Sequence, residues 1–197
     1  MIKFKTISLK NFQSYGDNLV TFYLDRSPTT LVSGPNGNGK SSILNALVFC
    51  LFGKTLKGVN KQSLINTVNQ RDLQTICEFQ KGENVYRVIR TIKPNTFTID
   101  VNGKRMEEEA GIRDQQKVLE DILGFDHSAF IKTCVLSTEN YVPFLQLTTN
   151  DRRIFIESLL GISVFSAMNK QLKTLVSANK DTIQSYKSEL ELKKAVR

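Results

Sequence analysis

In the stretch Thr29-Thr30-Leu31-Val32-Ser33-Gly34-Pro35-Asn36-Gly37-Asn38-Gly39-Lys40-Ser41-Ser42, a short apolar run enters three closely spaced glycines and leaves on a lysine and two hydroxyls. Gly34 to Ser41 fits G-x-x-x-x-G-K-[ST] at every fixed position, the pattern of a loop that cradles phosphate. The residue types follow from the task. Gly34, Gly37 and Gly39 let the backbone turn and bring N–H groups toward phosphate oxygens. A helix beginning near Gly39 aims the positive end of its dipole the same way. Lys40 supplies a fixed positive charge for the β- and γ-phosphates, and the Ser41 hydroxyl is a hard oxygen ligand for Mg²⁺. Ser42 adds a hydrogen bond. The candidate binding residues are therefore Gly34, Pro35, Asn36, Gly37, Asn38, Gly39, Lys40, Ser41 and Ser42, with Lys40 catalytic and Ser41 the metal ligand.

Outward from the loop, Thr29–Ser33 reads as a short buried strand and Ser42–Phe52 as a buried helix, apolar nearly all round, that stops at Gly53. Residues 2–12 and 18–24 alternate as strands do, with Asp17-Asn18 as the turn. Residues 54–72 look irregular and polar. Leu73–Gln80 and Val85–Ile92 read as a hairpin, Phe97–Val101 as a further strand, and Asn102-Gly103 as a strong hairpin turn. Ile112–Leu123 patterns as an amphipathic helix before Gly124. Asp126 caps a short helix over Ala129–Thr133, Cys134–Ser137 is a short apolar segment, and Asn150 or Asp151 caps a helix through Leu160. From Ser163 onward Phe165, Leu172, Asn179 and Tyr186 fall seven apart, as do Val176, Ile183 and Leu190. These are the a and d positions of a coiled coil, with one long helix packed on a globular domain as the alternative. The division is 1–162 and 163–197.

A phosphate loop alone does not hydrolyse a nucleotide. A second acidic metal partner and a group that places water are also needed. No run of four apolar residues ends in Asp, since Phe97-Thr98-Ile99-Asp100 is interrupted and Val118-Leu119-Glu120-Asp121 lies on an expected helix. Leu136-Ser137-Thr138-Glu139 is the nearest approach to LSGGQ and lacks both glycines. The missing half is expected from a C-terminal segment or another chain.

Composition narrows the classes. No apolar run reaches the 18 or so residues of a membrane span. Three scattered cysteines without a CxxC spacing and a single histidine, His127, argue against zinc and against a disulfide framework, and favour a reducing cytosol. The net charge of +8 is uneven: residues 1–60 hold seven Lys/Arg against two Asp/Glu, residues 61–162 thirteen against fourteen, and residues 163–197 seven against three. A basic balance admits a polyanion partner without demanding one.

Ile7-Ser8-Leu9-Lys10-Asn11-Phe12-Gln13-Ser14-Tyr15 followed by GPNGNGKSS resembles the opening of the SMC-like DNA double-strand-break repair ATPases, the family of the SbcC-type exonuclease subunits. Val135–Leu145 and then Arg152 to Gly161 resemble that family's Q-loop and the helix after it, and the phage-type branch is the most similar. The resemblance implies an α/β fold: an ABC-type P-loop ATPase lobe with an antiparallel β layer and a helical part, leading into a coiled-coil helix. It implies ATP with Mg²⁺, and partners in four places. These are the C-terminal lobe of the same ATPase carrying Walker B and the signature, a second head in a homodimer, a calcineurin-like phosphoesterase nuclease, and double-stranded DNA ends. It places the protein in the cytoplasm, the host's for a phage-encoded member, and not at a membrane. Where the family has its Q-loop glutamine this chain has Thr138, with Glu139 next; Gln146 comes eight residues later. Gln13 stands where many members have a basic residue, and Asn11 and Gln13 are candidates for base or ribose contacts.

Other residues have two readings each. Arg152 and Arg153 sense nucleotide or touch DNA, or form a solvated first turn. Lys54, Lys57 and Lys61 touch DNA phosphate or line a plain loop. Lys170, Lys173, Lys180, Lys187, Lys193 and Lys194 form a solvated face of the coil or serve DNA or the nuclease. Phe165 anchors the nuclease or packs within the chain. His127 reads as surface or cap chemistry, and Cys50 and Cys77 as buried. Two other function classes remain at this level: a stand-alone P-loop kinase, and a non-catalytic nucleic-acid-binding module that retains a P-loop.

Overall fold

Period-two alternation in residues 2–24 and 73–105 produces six strands in one sheet. They are β1 (Ile2–Lys10), β2 (Val20–Tyr23), β3 (Leu73–Lys81), β4 (Asn84–Ile92), β5 (Phe97–Val101) and β6 (Lys104–Arg105). Their order is β2-β1-β3-β4-β5-β6, and every pairing is antiparallel. The computed structural model describes residues 1–56, 60–106, 111–135, 146–160 and 162–195. The turns expected after β3 and after β5 form. Gly82 takes a positive φ in the β3–β4 turn, and Asn102 and Gly103 both take positive φ between β5 and β6, as a tight hairpin whose twist matches its strands requires.

The register aligns Ile7, Cys77, Val88 and Ile99 across four strands, and all four are fully buried. Helix α1 (Lys40–Phe52) packs on this side of the sheet, against β1, β3 and β4. It buries residues on almost every side, from Ile43 and Ala46 round to Val48, Phe49, Leu51 and Phe52. Gly53 ends it in the left-handed conformation, donating its N–H to Phe49 O at 2.8 Å. Phe12, Phe49 and Phe79 are the largest fully buried side chains, each contributing about 1.5–3 kcal/mol by burial alone. Helix α2 (Ile112–Leu123) buries Gln115, Leu119 and Leu123, one stripe at four-residue spacing. Helix α3 (His127–Cys134) starts at Asp126, whose carboxylate accepts from Ala129 N at 2.7 Å. It sets Phe130 among the rings of Phe4, Phe52 and Phe125.

One expected strand is absent. Residues 29–33 form no strand, and Leu31 is 90% exposed. A buried strand needs a hydrogen-bonded neighbour and cover on both faces; none of the six described strands pairs with this segment.

The chain divides into two compact units, Met1–Val142 and Pro143–Arg197. In the second, the backbone runs on beyond α4 (Thr149–Leu159). Ile162 N donates to Glu157 O and Phe165 N to Ile162 O, each at 3.0 Å. These bonds lead α4 directly into α5 (Ser163–Ala195), a single helix of 33 residues. The cap of α4 is Thr148 rather than Asn150 or Asp151: its hydroxyl accepts from Asp151 N at 3.2 Å. On α5, Phe165, Leu172, Val176, Ile183 and Tyr186 are all exposed. Among the described residues no helix is long and apolar enough to cross a membrane.

Candidate phosphate-binding site

The loop predicted from the glycine spacing hangs between the exposed Leu31–Val32 segment and the first turn of α1. Gly34, Gly37 and Gly39 have φ of 156°, 87° and 80°, values that glycine adopts at little cost. Gly39 is the N-cap of α1 and offers no side chain to the helix; the first turn carries no acidic residue. The N–H groups at the start of α1 therefore face no side-chain cap and no competing carboxylate, the condition for receiving an anion. Gly34 to Asn38 and Ser41 are exposed, Gly39 and Lys40 are half-buried, and Ser42 is buried.

Lys40 Nζ donates to Gly34 O and Pro35 O, each at 2.7 Å. The ammonium thus reaches back over the loop and closes it with two carbonyls. Those bonds are to exposed acceptors and are exchangeable for stronger, charge-assisted bonds to phosphate oxygens. Ser41 stands on the first turn of α1 and is exposed. The residues present fit Mg·ATP by chemistry: glycines with open space around Gly34 and Gly37, an uncapped helix N-terminus, one flexible cation and one exposed hydroxyl. Among the described residues no group of His, Cys, Asp and Glu forms a metal site by itself; Ser41 is the protein oxygen that the loop offers to Mg²⁺.

The loop after β1 braces this site. A Cβ at Gly39 would lie 2.5 Å from Ser14 Oγ and 2.8 Å from the Tyr15 ring, and Tyr15 Oη donates to Gly39 O at 3.3 Å. Asn11 holds the brace in shape from the left-handed region, φ 52°. Fully buried, it donates Nδ2 to Asp17 Oδ1 at 3.1 Å and accepts from Asn69 Nδ2 at 2.6 Å. Its side chain is thus engaged within the protein, which corrects the expectation that Asn11 meets a base or ribose. Gln13 donates its backbone N–H to Leu64 O at 2.7 Å and its carbonyl accepts from Asn66 Nδ2 at 2.8 Å. These bonds tie the loop to the irregular segment after α1.

At its other end α1 meets a group that sequence reasoning missed. Arg90 of β4, only 5% exposed, reaches the last turn of α1. Alternation with Val88 places it on the buried face of β4, where it stands in register with the buried Thr75 and Phe97, but nothing in the strand names its partners. Desolvation pushes its pKa down to about 10, which still leaves it charged at neutral pH.

The other expected residues divide. Cys50 and Cys77 are buried, and burial raises both thiols, Cys50 to about 11; neither is a nucleophile in this state. His127 packs on the Phe52 ring with 5.6 Å between centroids. Its pKa is lowered, first by desolvation and then by the charge of Lys54. Arg153 pairs with Glu157 at 2.7 Å on the exposed side of α4. Lys173, Lys180 and Lys187 are exposed on α5. Of the expected Q-loop only Val135 is described, buried at the end of α3; Thr138, Glu139 and the remainder, together with Lys57, lie outside the described residues.

Residues 6–197 match the family described as AAA domain. The chain is 38% identical over 174 residues to exonuclease subunit 2 of Enterobacteria phage T4, an alignment that covers 88% of this chain and 31% of that protein. It is 26% identical over 174 residues to the probable exonuclease subunit 2 of Escherichia phage T5, covering 87% of this chain and 28% of the relative. To the DNA double-strand break repair Rad50 ATPase of Methanococcus maripaludis it is 27% identical over 188 residues, covering 94% and 18%. The chain therefore spans less than a third of the length of these relatives.

Proposed function

The chain belongs to the AAA domain family, and from that premise we propose that it is the ATP-binding N-terminal lobe of an SMC-like ATPase. In this reading ATP state gates a partner nuclease during DNA double-strand-break end processing and recombination in the cytoplasm. The observation that carries the reading is the loop itself. Three positive-φ glycines, an uncapped helix start and a lysine folded onto its own loop carbonyls form a receptor for a polyphosphate. Lys40 exchanges Gly34 O and Pro35 O for β- and γ-phosphate oxygens, and the N–H groups at the start of α1 fix those oxygens in place. Mg²⁺, when bound, draws negative charge from the phosphates, and Ser41 is the protein oxygen offered to it.

The names of the relatives support the wider setting: an exonuclease component in two phages and a break-repair ATPase in an archaeon. We assign residues 1–162 to the ATPase lobe and 163–197 to the start of a coiled coil, whose seam is the exposed row Phe165, Leu172, Val176, Ile183 and Tyr186. Walker B, the signature and a second head come from a C-terminal lobe and its homodimer. The exposed Leu31–Val32 segment just before the loop supports that lobe, since it is apolar surface open to cover by a further element.

Hydrolysis by the chain alone and by the chain joined to its C-terminal lobe tests the reading. The lobe alone is expected to turn over ATP barely above background, and the joined protein to hydrolyse it. Lys40→Ala in the joined protein should lower kcat/KM by about a hundredfold or more, as expected for a group that stabilises developing phosphoryl charge. Undiminished turnover by Lys40→Ala would overturn the assignment.

A further inference from the structure

Helix α1 carries Lys40 and Ser41 at its first turn and, thirteen residues long, ends at Phe52. At that far end two carbonyls of the last turn, which no helical N–H satisfies, are met by side chains from other elements. Arg90 Nε donates to Cys50 O at 3.0 Å. Gln116 Nε2 of α2 donates to Leu51 O at 3.1 Å. The two side chains are themselves joined, Arg90 Nη2 donating to Gln116 Oε1 at 2.6 Å. Gln116 also donates to Glu120 Oε1 at 3.0 Å, so that carboxylate answers the buried cation through one intermediate. The guanidinium lies over the Phe97 ring of β5 at 3.7 Å from its centroid. Gly53 leaves room for it: a Cβ there would sit 2.8 Å from Arg90 Nη1.

A buried guanidinium is an expensive way to fill space, because a methionine of similar length packs on Phe97 without desolvating a charge. What the cation adds is direction. It holds the negative end of the α1 dipole and fixes the rotation of the helix against β4, β5 and α2 at once. Because the helix is a stiff rod, rotation or lateral shift at Cys50 and Leu51 moves Lys40 and Ser41 at the other end. We propose that Arg90, with Gln116, is a positioning residue for the phosphate site, acting through α1 to set the pose of Lys40 and Ser41. The inference rests on the reading of that loop as the ATP site.

The test uses the ATPase joined to its C-terminal lobe, with steady-state ATP hydrolysis and thermal unfolding measured on the same samples. Arg90→Met keeps the stem against Phe97 and removes the fork. It should lower kcat/KM for ATP by about tenfold to a hundredfold in protein shown to be folded, as a misplacement near one ångström does. Arg90→Lys keeps the cation near Cys50 O but cannot reach both partners, and should restore part of the loss. Gln116→Leu removes the donor to Leu51 O from a partly buried site, and should lower kcat/KM in the same direction by a smaller factor. It decides the question if Arg90→Met does not fold. A merely structural role predicts lower melting temperatures with unchanged kcat/KM in the folded fraction; that pattern in Gln116→Leu and in any folded Arg90 variant would overturn the inference. Absence of ATP turnover in the unsubstituted protein would instead sink the reading of the loop, and the inference with it.

Discussion

Gly39 and Gly37 look alike in the motif but differ in what surrounds them. Both have positive φ, at 80° and 87°, so alanine at either costs about 1–2 kcal/mol from conformation alone. At Gly37 nothing lies within 4 Å of a would-be Cβ, whereas at Gly39 the Ser14 hydroxyl and the Tyr15 ring already occupy the space. Gly39→Ala should therefore lower the denaturation midpoint more than Gly37→Ala, and should also displace the Asn11–Gly16 loop. Chemical denaturation of the two variants in parallel checks this; equal losses would mean that the brace yields freely. His127 gives a second residue-scale prediction. Its folded pKa is depressed, first by desolvation and then by Lys54, so the unfolded chain binds the proton more readily. The stability it contributes is present above its unfolded pKa, begins to be lost as pH falls below about 6.5, and is gone once pH falls through the lower folded pKa. Unfolding measured between about pH 7.5 and 5.5 should show a shallower decline in His127→Gln than in the unsubstituted protein. Identical slopes would remove His127 from the acid response.

At the scale of elements, what the sequence makes legible and what it hides follow from how local each signal is. Helix α2 runs over Ile112–Leu123 with Gly124 in the left-handed conformation just after it, as its pattern predicts, because stripe and stop both reside in adjacent residues. The Asn102-Gly103 turn is equally local. Thr29–Ser33 fails for the opposite reason: its apolar run is the same in a paired strand as in an exposed segment, and only a neighbour decides. Asn11 is a subtler case. Its place in the opening motif suggests nucleotide contact, yet its bonds go to Asp17 in its own loop and to Asp72 and Asn69, two partners remote in sequence that lie just before β3. Arg90 is illegible for a related reason. Alternation places it on the buried side of β4, but its purpose lies in the carbonyls of α1, which are remote in sequence. The local rules thus recover the loop and the helix that carries it, while the groups bracing both ends of that helix emerge only from tertiary pairing.

At the scale of the whole molecule, the proposed C-terminal lobe bears on the apolar segment before the phosphate loop. Leu31 and Val32, immediately before that loop, are exposed. On the proposal of a returning C-terminal lobe, this segment becomes a strand with neighbours, and the loop gains a rigid base on the side opposite α1. Hydrogen exchange compares the two situations directly. The amides of residues 30–33 should exchange rapidly in the lobe alone and become protected when the C-terminal lobe is joined to it. Leu31→Asp puts a charge where burial of leucine contributes about 1.5–3 kcal/mol, so the two lobes supplied as separate chains should associate roughly tenfold to a hundredfold more weakly. The surface of α1 facing the sheet is untouched by this substitution, so the N-terminal lobe itself should keep its melting temperature. Protection that fails to appear in the joined protein would mean that the segment has another partner, and the C-terminal lobe would then have to complete the ATP site without pairing there.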